Sequence, residues 1–128
     1  MESDQLNKLA DELFRSVEQF DMAALDRLYA EDAVVWHNTD NTAQSRMDNL
    51  KLLSQIPVLF EVFKYTNIRR QLFKEGFVQQ HDLVLRSKHG VEFVVHVCMV
   101  VQVENDSIAR IDEYMDSVQI NAALAAAR

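Results

Sequence analysis

Residues 92–104 read EFVVHVCMVVQVE, and this stretch decides the fold. Its many β-branched residues are typical of a strand, and alternation along a strand puts apolar side chains on both faces. One face carries Val94, Cys98 and Val100, and the other carries Val95, Val97, Met99 and Val101. One face can cover helices, but a second apolar face needs a further partner surface. We therefore predict a homodimer through that face, in preference to a thicker core within one chain.

The segments around this strand predict a single α+β domain over residues 1–128. Three more long strands are predicted at Lys64–Lys74, at FVQQHDLVLRS and at IARIDEYMD, with the turns EG, KHG and NDS between strands. Before them, Asp4 can cap a helix whose apolar residues recur at spacings of three and four. The segments MAALDRLYA, Ser45–Gln55 and SVQINAALAAA predict further helices, and VVWHN predicts a short first strand. This order predicts a curved antiparallel sheet that wraps N-terminal helices.

Composition excludes several classes of function. The 128 residues are 48% hydrophobic with a formal net charge of −7, so we expect a folded core and no nucleic-acid partner. No apolar run is long enough to span a membrane, and MESDQLNKL lacks the features of a secretion leader. The single cysteine, Cys98, suits a reducing compartment, so we expect a cytoplasmic protein. The four histidines lack metal-ligand spacing and the two glycines form no phosphate loop, so we expect neither a metal nor another cofactor.

The segments DMAALDRLYAEDAVVWHN and DSIARIDEYMD resemble the NTF2-like superfamily, and in particular its SnoaL-like and ketosteroid isomerase-like branches. They are similar also to the limonene epoxide hydrolases. The resemblance covers nearly the whole chain and implies a cone, in which the bent sheet encloses a deep apolar pocket. It also implies dimers that form through the outer face of the sheet. The superfamily includes enzymes, binding modules and adaptors, so the function has to come from the polar residues of the pocket.

The same resemblance implies a first set of site residues. Trp36 and Asn38 stand where the epoxide hydrolases carry tyrosine and asparagine, and Glu113 stands where they carry a last aspartate. Gln80, His81 and Asp82 stand where those enzymes have an Arg-x-Asp motif, whose arginine is thus missing here. These departures argue against epoxide hydrolysis. A last-strand acid is also the base of the SnoaL-like cyclases, and Glu113 matches that residue in type. The oxyanion-hole acid of the isomerases falls at Met99, so that group is missing.

The residues themselves point to acid–base chemistry at Glu113, Asp82 or His81. Two carboxylates that share an apolar pocket would have different pKa values, and one could serve as an acid and the other as a base. His81 and Asp82 cannot both face inward in a regular strand, so the hairpin register decides between them. A two-residue turn puts Gln80, Asp82 and Val84 inside. A change of one residue in the loop puts Gln79, His81 and Leu83 inside, and the sequence leaves both arrangements open.

Substrate-binding residues are predicted around these groups. Asn38 with Gln79, Gln80 or His81 would orient the ligand, and Trp36 would stack on it. We expect His37 and His96 to face away from the pocket, because they alternate with the residues predicted to line it. The predicted pocket walls are Val84, Val95, Val97, Met99, Met115 and Ile120.

The resulting prediction is a SnoaL-like protein with an apolar pocket that works by general acid–base catalysis on a small apolar molecule, as an isomerase, cyclase or hydrolase. Two alternatives remain open from the sequence. One is a protein that binds a small ligand without catalysis. The other is a dimeric adaptor with a vestigial pocket.

Overall fold

A computed structural model describes residues 1–128. Helices α1 (Ser3–Glu18) and α2 (Met22–Leu28) lead into strand β1 (Tyr29–His37) and the short strand β2 (Thr42–Ser45). Helices α3 (Arg46–Ser54) and α4 (Ile56–Leu59) follow. The long strands are β3 (Phe60–Phe73), β4 (Gly76–Ser87), β5 (Glu92–Glu104) and β6 (Ser107–Met115), and α5 (Ser117–Ala126) ends the chain.

All six strands form one curved sheet in the order β2-β1-β6-β5-β4-β3, with the helices on its concave face. Neighbouring strands are antiparallel except β1 and β6, which run parallel. The predicted α+β class is therefore confirmed. Strand β2 has no counterpart among the predicted elements, and β3 starts at Phe60 rather than at the predicted Lys64. No helix in the structure is both long and apolar enough to cross a bilayer.

Helix α1 fills the cone because one side of it is apolar. Glu2 and Gln5 form a capping box at its start, and its buried residues recur at helical spacing. These residues are Leu6, Leu9, Ala10, Leu13, Phe14, Ser16 and Val17. The sheet contributes the odd-numbered residues of β4 and β5, including Phe77, Leu83, Leu85, Val95, Val97, Met99 and Val101. Because this face is buried, the odd-numbered residues of β4 point inward. This decides between the two sets of inward-facing residues that the sequence left open.

The β4–β5 turn sets the register of the whole meander. Ser87 and Val91 form the last pair, with the Ser87 amide donating to the Val91 carbonyl at 2.9 Å, so the loop is the three residues 88–90. The Ser87 hydroxyl accepts from the amides of His89 and Val91, at 3.3 and 3.1 Å. Gly90 takes φ = +83°, as expected for the glycine of a tight hairpin. Consequently His81 lies opposite Val97. A two-residue turn would have put Asp82 there instead.

Gly76 begins β4 at the tightest point of the β3–β4 turn. A Cβ atom there would overlap the carbonyl oxygen of Val101 and the ring of Phe73. The positive φ of this turn belongs to Glu75, at 64°, so Gly76 is needed for space rather than for backbone conformation.

Candidate active site

An apolar cavity of about 320 Å³ lies between the concave face of the sheet and the helices. Its size falls in the range of small-molecule sites, and 19 of its 26 lining residues are hydrophobic. The polar remainder consists of His37, Thr39, Asp40, Gln44, Asn49, Glu113 and Asn121. A few polar groups in an apolar enclosure can position a ligand and perform chemistry on it without competition from bulk water.

His37 and Glu113 form an ion pair in the wall of this cavity. The parallel register of β1 and β6 sets the two residues side by side, and His37 Nε2 lies 3.1 Å from Glu113 Oε1. Their side chains are only 12% and 17% exposed. Burial lowers the pKa of His37, but the hydrogen bond to Glu113 and the charges of Glu113 and Asp40 outweigh it, so the net pKa is raised. The pair holds one transferable proton beside an apolar space.

Two tyrosines also line the cavity as neutral phenols. Burial, together with the negative charge of Glu113, raises the pKa of both Tyr29 and Tyr65 well above the ordinary value, so both stay protonated. The Tyr29 hydroxyl donates to Asn49 Oδ1 at 2.9 Å. The Tyr65 hydroxyl makes no hydrogen bond within the protein. Tyr65 is therefore a free donor for a ligand oxygen.

Gln79 and His81 face inward, as the register of the β4–β5 hairpin requires. Arg70 Nε donates to Gln79 Oε1 at 2.9 Å, which leaves Gln79 Nε2 to donate to His81 Nδ1 at 3.1 Å. The neutral imidazole then carries its proton on Nε2, which is buried without a partner. His81 packs against the ring of Tyr65 at 4.8 Å but, like Gln79, does not line the cavity. The pKa of His81 falls to about 4 because of its burial, against the opposing charges of Glu113 and Asp82.

The alternative set Gln80, Asp82 and Val84 lies on the outer face, so its predicted place in the pocket is wrong. The three-residue loop, rather than a two-residue one, is the physical reason. Asp82 Oδ1 lies 3.6 Å from His96 Nε2, and Asp82 Oδ2 accepts from Asn67 at 3.4 Å. Asp82 and Glu113 therefore lie on opposite faces of the sheet and cannot form the predicted carboxylate pair.

Trp36 and Asn38 were predicted to line the pocket, and that prediction is also wrong. They lie on the outer face because Ala33 and Val35 are buried inside, which directs the next alternate residue, His37, into the cavity. Trp36 contacts the Tyr114 ring at 5.2 Å, and its Nε1 donates to Asn41. The Asn38 side chain accepts from the Met115 amide at 2.9 Å and donates to the Met115 carbonyl at 3.1 Å. Asn38 thus joins the end of β1 to the end of β6.

The predicted walls divide into two groups. Met99, Met115 and Ile120 line the cavity together with Glu113. Val95 and Val97 are buried on the inner face but pack in the core outside the cavity wall.

Comparisons with known proteins agree with this geometry. The sequence matches no protein-family model and no curated protein. Solved structures match it over nearly the whole chain. The chain has the fold of the NTF2-like cone proteins.

Three solved structures with this cone illustrate the likeness. A protein from Shewanella denitrificans assigned as a SnoaL-like polyketide cyclase has a TM-score of 0.83 at 12% identity, over 97% of this chain and 98% of that one. A protein from Catenulispora acidiphila with a ketosteroid isomerase-like fold has a TM-score of 0.79 at 12% identity, over 91% and 92%. An epoxide hydrolase of the limonene type from Mycobacterium tuberculosis has a TM-score of 0.78 at 15% identity, over 95% and 90%. At these identities the likeness concerns the fold, and the predicted superfamily resemblance is confirmed at that level.

Within the cone, sequence reasoning missed His37, Tyr29, Tyr65 and Asn49. No clear local signal indicated His37, because Val34 and Trp36 are as apolar as the buried Ala33 and Val35, and the sequence does not show which set faces inward. No local signal indicates Tyr65, because a register shift between Thr66 and Arg69 changes the phase of β3 beside it.

No group of three or more His, Cys, Asp or Glu residues in the structure is arranged to hold a metal ion. The cavity instead brings together a carboxylate, an imidazole and a free phenol. This set can remove a proton, retain it and stabilise the negative charge that develops.

Proposed function

We propose that this protein is a general acid–base enzyme that moves a proton on a small, largely apolar carbonyl compound inside the cavity. Isomerisation and cyclisation begin from such a step, whereas in hydrolysis the same base would remove a proton from an attacking water. The observation that carries the proposal is the His37–Glu113 pair, held at 3.1 Å in the wall of an apolar cavity. A solvent-facing pair would support only a surface ion pair of small energetic weight.

Glu113 is the proposed base. Its Oε1 is engaged by His37 Nε2, while Glu113 itself lines the cavity, so its second oxygen is available to a ligand. A carboxylate removes a proton from the carbon beside a carbonyl group, and the apolar walls keep water from competing with the ligand for it. His37 orients the carboxylate and takes up charge as the pair becomes protonated. The predicted catalytic role of Glu113 is thus retained, now with His37 rather than Asp82 or His81 beside it.

Tyr65 is the proposed donor to the carbonyl oxygen. Removal of the carbon-bound proton leaves negative charge on that oxygen, and a hydrogen bond there stabilises the resulting enolate. Burial, together with the charge of Glu113, raises the pKa of Tyr65, so the phenol remains a protonated donor at neutral pH. Its hydroxyl has no competing partner in the protein.

The test is deuterium exchange at the carbon beside the carbonyl of 2-decalone, a rigid apolar ketone that is small enough for the cavity. Glu113→Gln keeps the size and hydrogen-bonding shape of the side chain but removes the base, so catalysed exchange should fall by about 100-fold or more while 2-decalone still binds. Glu104→Gln, an exposed change at the end of β5, is the matched control and should retain the full rate. Equal exchange by wild type and Glu113→Gln would contradict the proposal.

A second candidate is binding without catalysis. The raised pKa of His37 favours it, because a protonated His37 would neutralise Glu113 and make the pair a permanent polar lining. In that case 2-decalone would raise the melting temperature of the protein, and none of it would exchange deuterium.

The proposed location is the cytoplasm, which suits the single free thiol of Cys98. The proposed assembly is a homodimer through the outer face of the sheet. Val94 and Tyr114 are 43% and 47% exposed on that face, and Trp36 packs beside Tyr114. Exposed aromatic and branched side chains on the outer face of a sheet are typical of surfaces that pair with a second copy. A dimeric adaptor with a vestigial pocket would share this surface, but the open cavity argues against that alternative.

A further inference from the structure

Three of the other polar side chains that line the cavity form a chain of hydrogen bonds. Tyr29, Asn49 and Gln44 come from the start of β1, from α3 and from β2. The Tyr29 hydroxyl bonds Asn49 Oδ1 at 2.9 Å, and Asn49 Nδ2 bonds Gln44 Oε1 at 3.1 Å. Tyr29 and Asn49 are buried, whereas Gln44 is partly open. The acid–base proposal makes no use of Asn49 or Gln44.

The direction of these hydrogen bonds follows from Tyr29. Its hydroxyl proton has Asn49 as its only partner, and burial raises the pKa of Tyr29, so the proton stays in place. Asn49 must then accept through Oδ1 and donate through Nδ2, and Gln44 must accept through Oε1. The opposite orientation of both amides would leave the buried Tyr29 proton without an acceptor, which is costly.

The consequence is that Gln44 presents its Nε2 amide group to the cavity. That group makes no hydrogen bond in the protein, and Gln44 is one of the residues that line the cavity. Gln44 lies opposite Val35, which is two residues from His37 on the same face of β1. Glu113 pairs with His37 from the other side of β1, so strand geometry puts the Cα atoms of Gln44 and Glu113 roughly 12 Å apart. The two side chains extend into the cavity from these points and leave space for about the length of a fused two-ring molecule.

We propose that Gln44 is a second binding point of the cavity, which donates a hydrogen bond to an acceptor oxygen at the far end of the ligand. The substrate class is then a rigid apolar compound with two oxygen functions, one reacting at Glu113 and the other a carbonyl held by Gln44. The inference rests on the proposed function only in assuming that one end of the ligand reacts at Glu113. The Gln44 contact itself depends on the cavity and on the Tyr29–Asn49–Gln44 chain.

The experiment compares two probes, trans-decalin-2,6-dione and trans-2-decalone. The dione is symmetrical, so whichever carbonyl meets Glu113, the other extends toward Gln44. Dissociation constants are measured by NMR titration with wild type, Gln44→Leu, Tyr29→Phe and Gln71→Leu. Gln71 is an exposed glutamine of β3, so its change to leucine is the matched control. Any general difference in hydrophobicity between the probes cancels when the ratio of their dissociation constants is compared across variants.

The ratio of the two dissociation constants should favour the dione in wild type and fall by about fivefold in Gln44→Leu, the effect of one neutral hydrogen bond. Gln71→Leu should keep the wild-type ratio. Tyr29→Phe removes the proton that fixes both amides, so its ratio should lie between those of wild type and Gln44→Leu. A Gln44 that merely filled space would not respond to the change at Tyr29.

Equal ratios in wild type and Gln44→Leu would overturn the inference, as would failure of wild type to bind either ketone at millimolar concentration. The proposed function fails by a different result, namely deuterium exchange that survives Glu113→Gln. If exchange survives while the ratio still depends on Gln44, the acid–base assignment falls and the Gln44 binding point stands.

Discussion

Replacement of His81 by glutamine should remove a defined part of the acid sensitivity of this protein. His81 is 1% exposed, held by Gln79, and its pKa is lowered to about 4 by burial, with Glu113 and Asp82 acting in the opposite direction. In the unfolded chain the histidine has its ordinary pKa of 6.5. Between these two values the unfolded state binds the proton and the folded state does not, so a fall in pH favours unfolding.

The magnitude follows from the interval between the two pKa values. One pKa unit is worth ~1.4 kcal/mol, so the interval from 6.5 to about 4 corresponds to about 3 kcal/mol of unfolding free energy. This contribution is present in full above pH 6.5 and is lost as the pH falls toward about 4. Near pH 5 about 2 kcal/mol of it should already be gone.

The assay is urea denaturation across this pH range. Glutamine at position 81 keeps an acceptor for Gln79 but cannot take up a proton, so the stability of His81→Gln should fall less steeply below pH 6.5 than that of wild type. Carboxylates titrate in both proteins and cancel in the difference. His89→Gln, in the exposed hairpin turn, is the control and should follow the wild-type curve. Parallel curves for wild type and His81→Gln would refute the reasoning, even if the variant were less stable at every pH.

Three further results are expected. Gly76→Ala should lower the unfolding free energy measured by urea denaturation by about 2 kcal/mol or more, because the new Cβ overlaps the backbone. Gly90→Ala lies in open space at φ = +83° and should lower it by about 1 kcal/mol through backbone strain. Equal losses in the two variants would contradict this. The exchange rate of 2-decalone should rise with pH as His37, whose pKa is raised above 6.5, loses its proton and no longer neutralises the Glu113 carboxylate. His37→Gln should abolish that rise. Wild type should sediment as a dimer and Tyr114→Arg as a monomer, and a monomeric wild type would exclude the proposed assembly.

Much of the fold could be predicted because its signals are local. The spacing of apolar residues in α1, the β-branched run of β5 and the turn residues at Gly90 each depend on a few neighbours in the chain. Strand β2 escaped prediction because its residues, Thr42–Ser45, are mostly exposed and carry no hydrophobic pattern. Its existence depends on pairing with β1.

The candidate site was predicted less well because it depends on which alternate residues of each strand face the inside of the cone. Glu113, Met99 and Met115 lie at the cavity, and the regular alternation of β6 and β5 through them is a pattern the sequence contains. The loop between Ser87 and Val91 is one residue longer than the alternative turn, and that difference sends Asp82 outward. A side-chain period of two makes any such shift a complete exchange of faces.

By itself, the sequence determined an acidic α+β chain with one long apolar strand, an amphipathic first helix and a carboxylate on its last strand. Those features arise from composition and from spacing within single elements. The tertiary structure alone decided that His37 meets Glu113, because the parallel pairing of β1 with β6 joins residues far apart in the chain. It also decided that Tyr65 faces the cavity without a partner, and that the Tyr29–Asn49–Gln44 chain has a fixed direction. Contacts between distant segments depend on register and burial, which no local pattern contains.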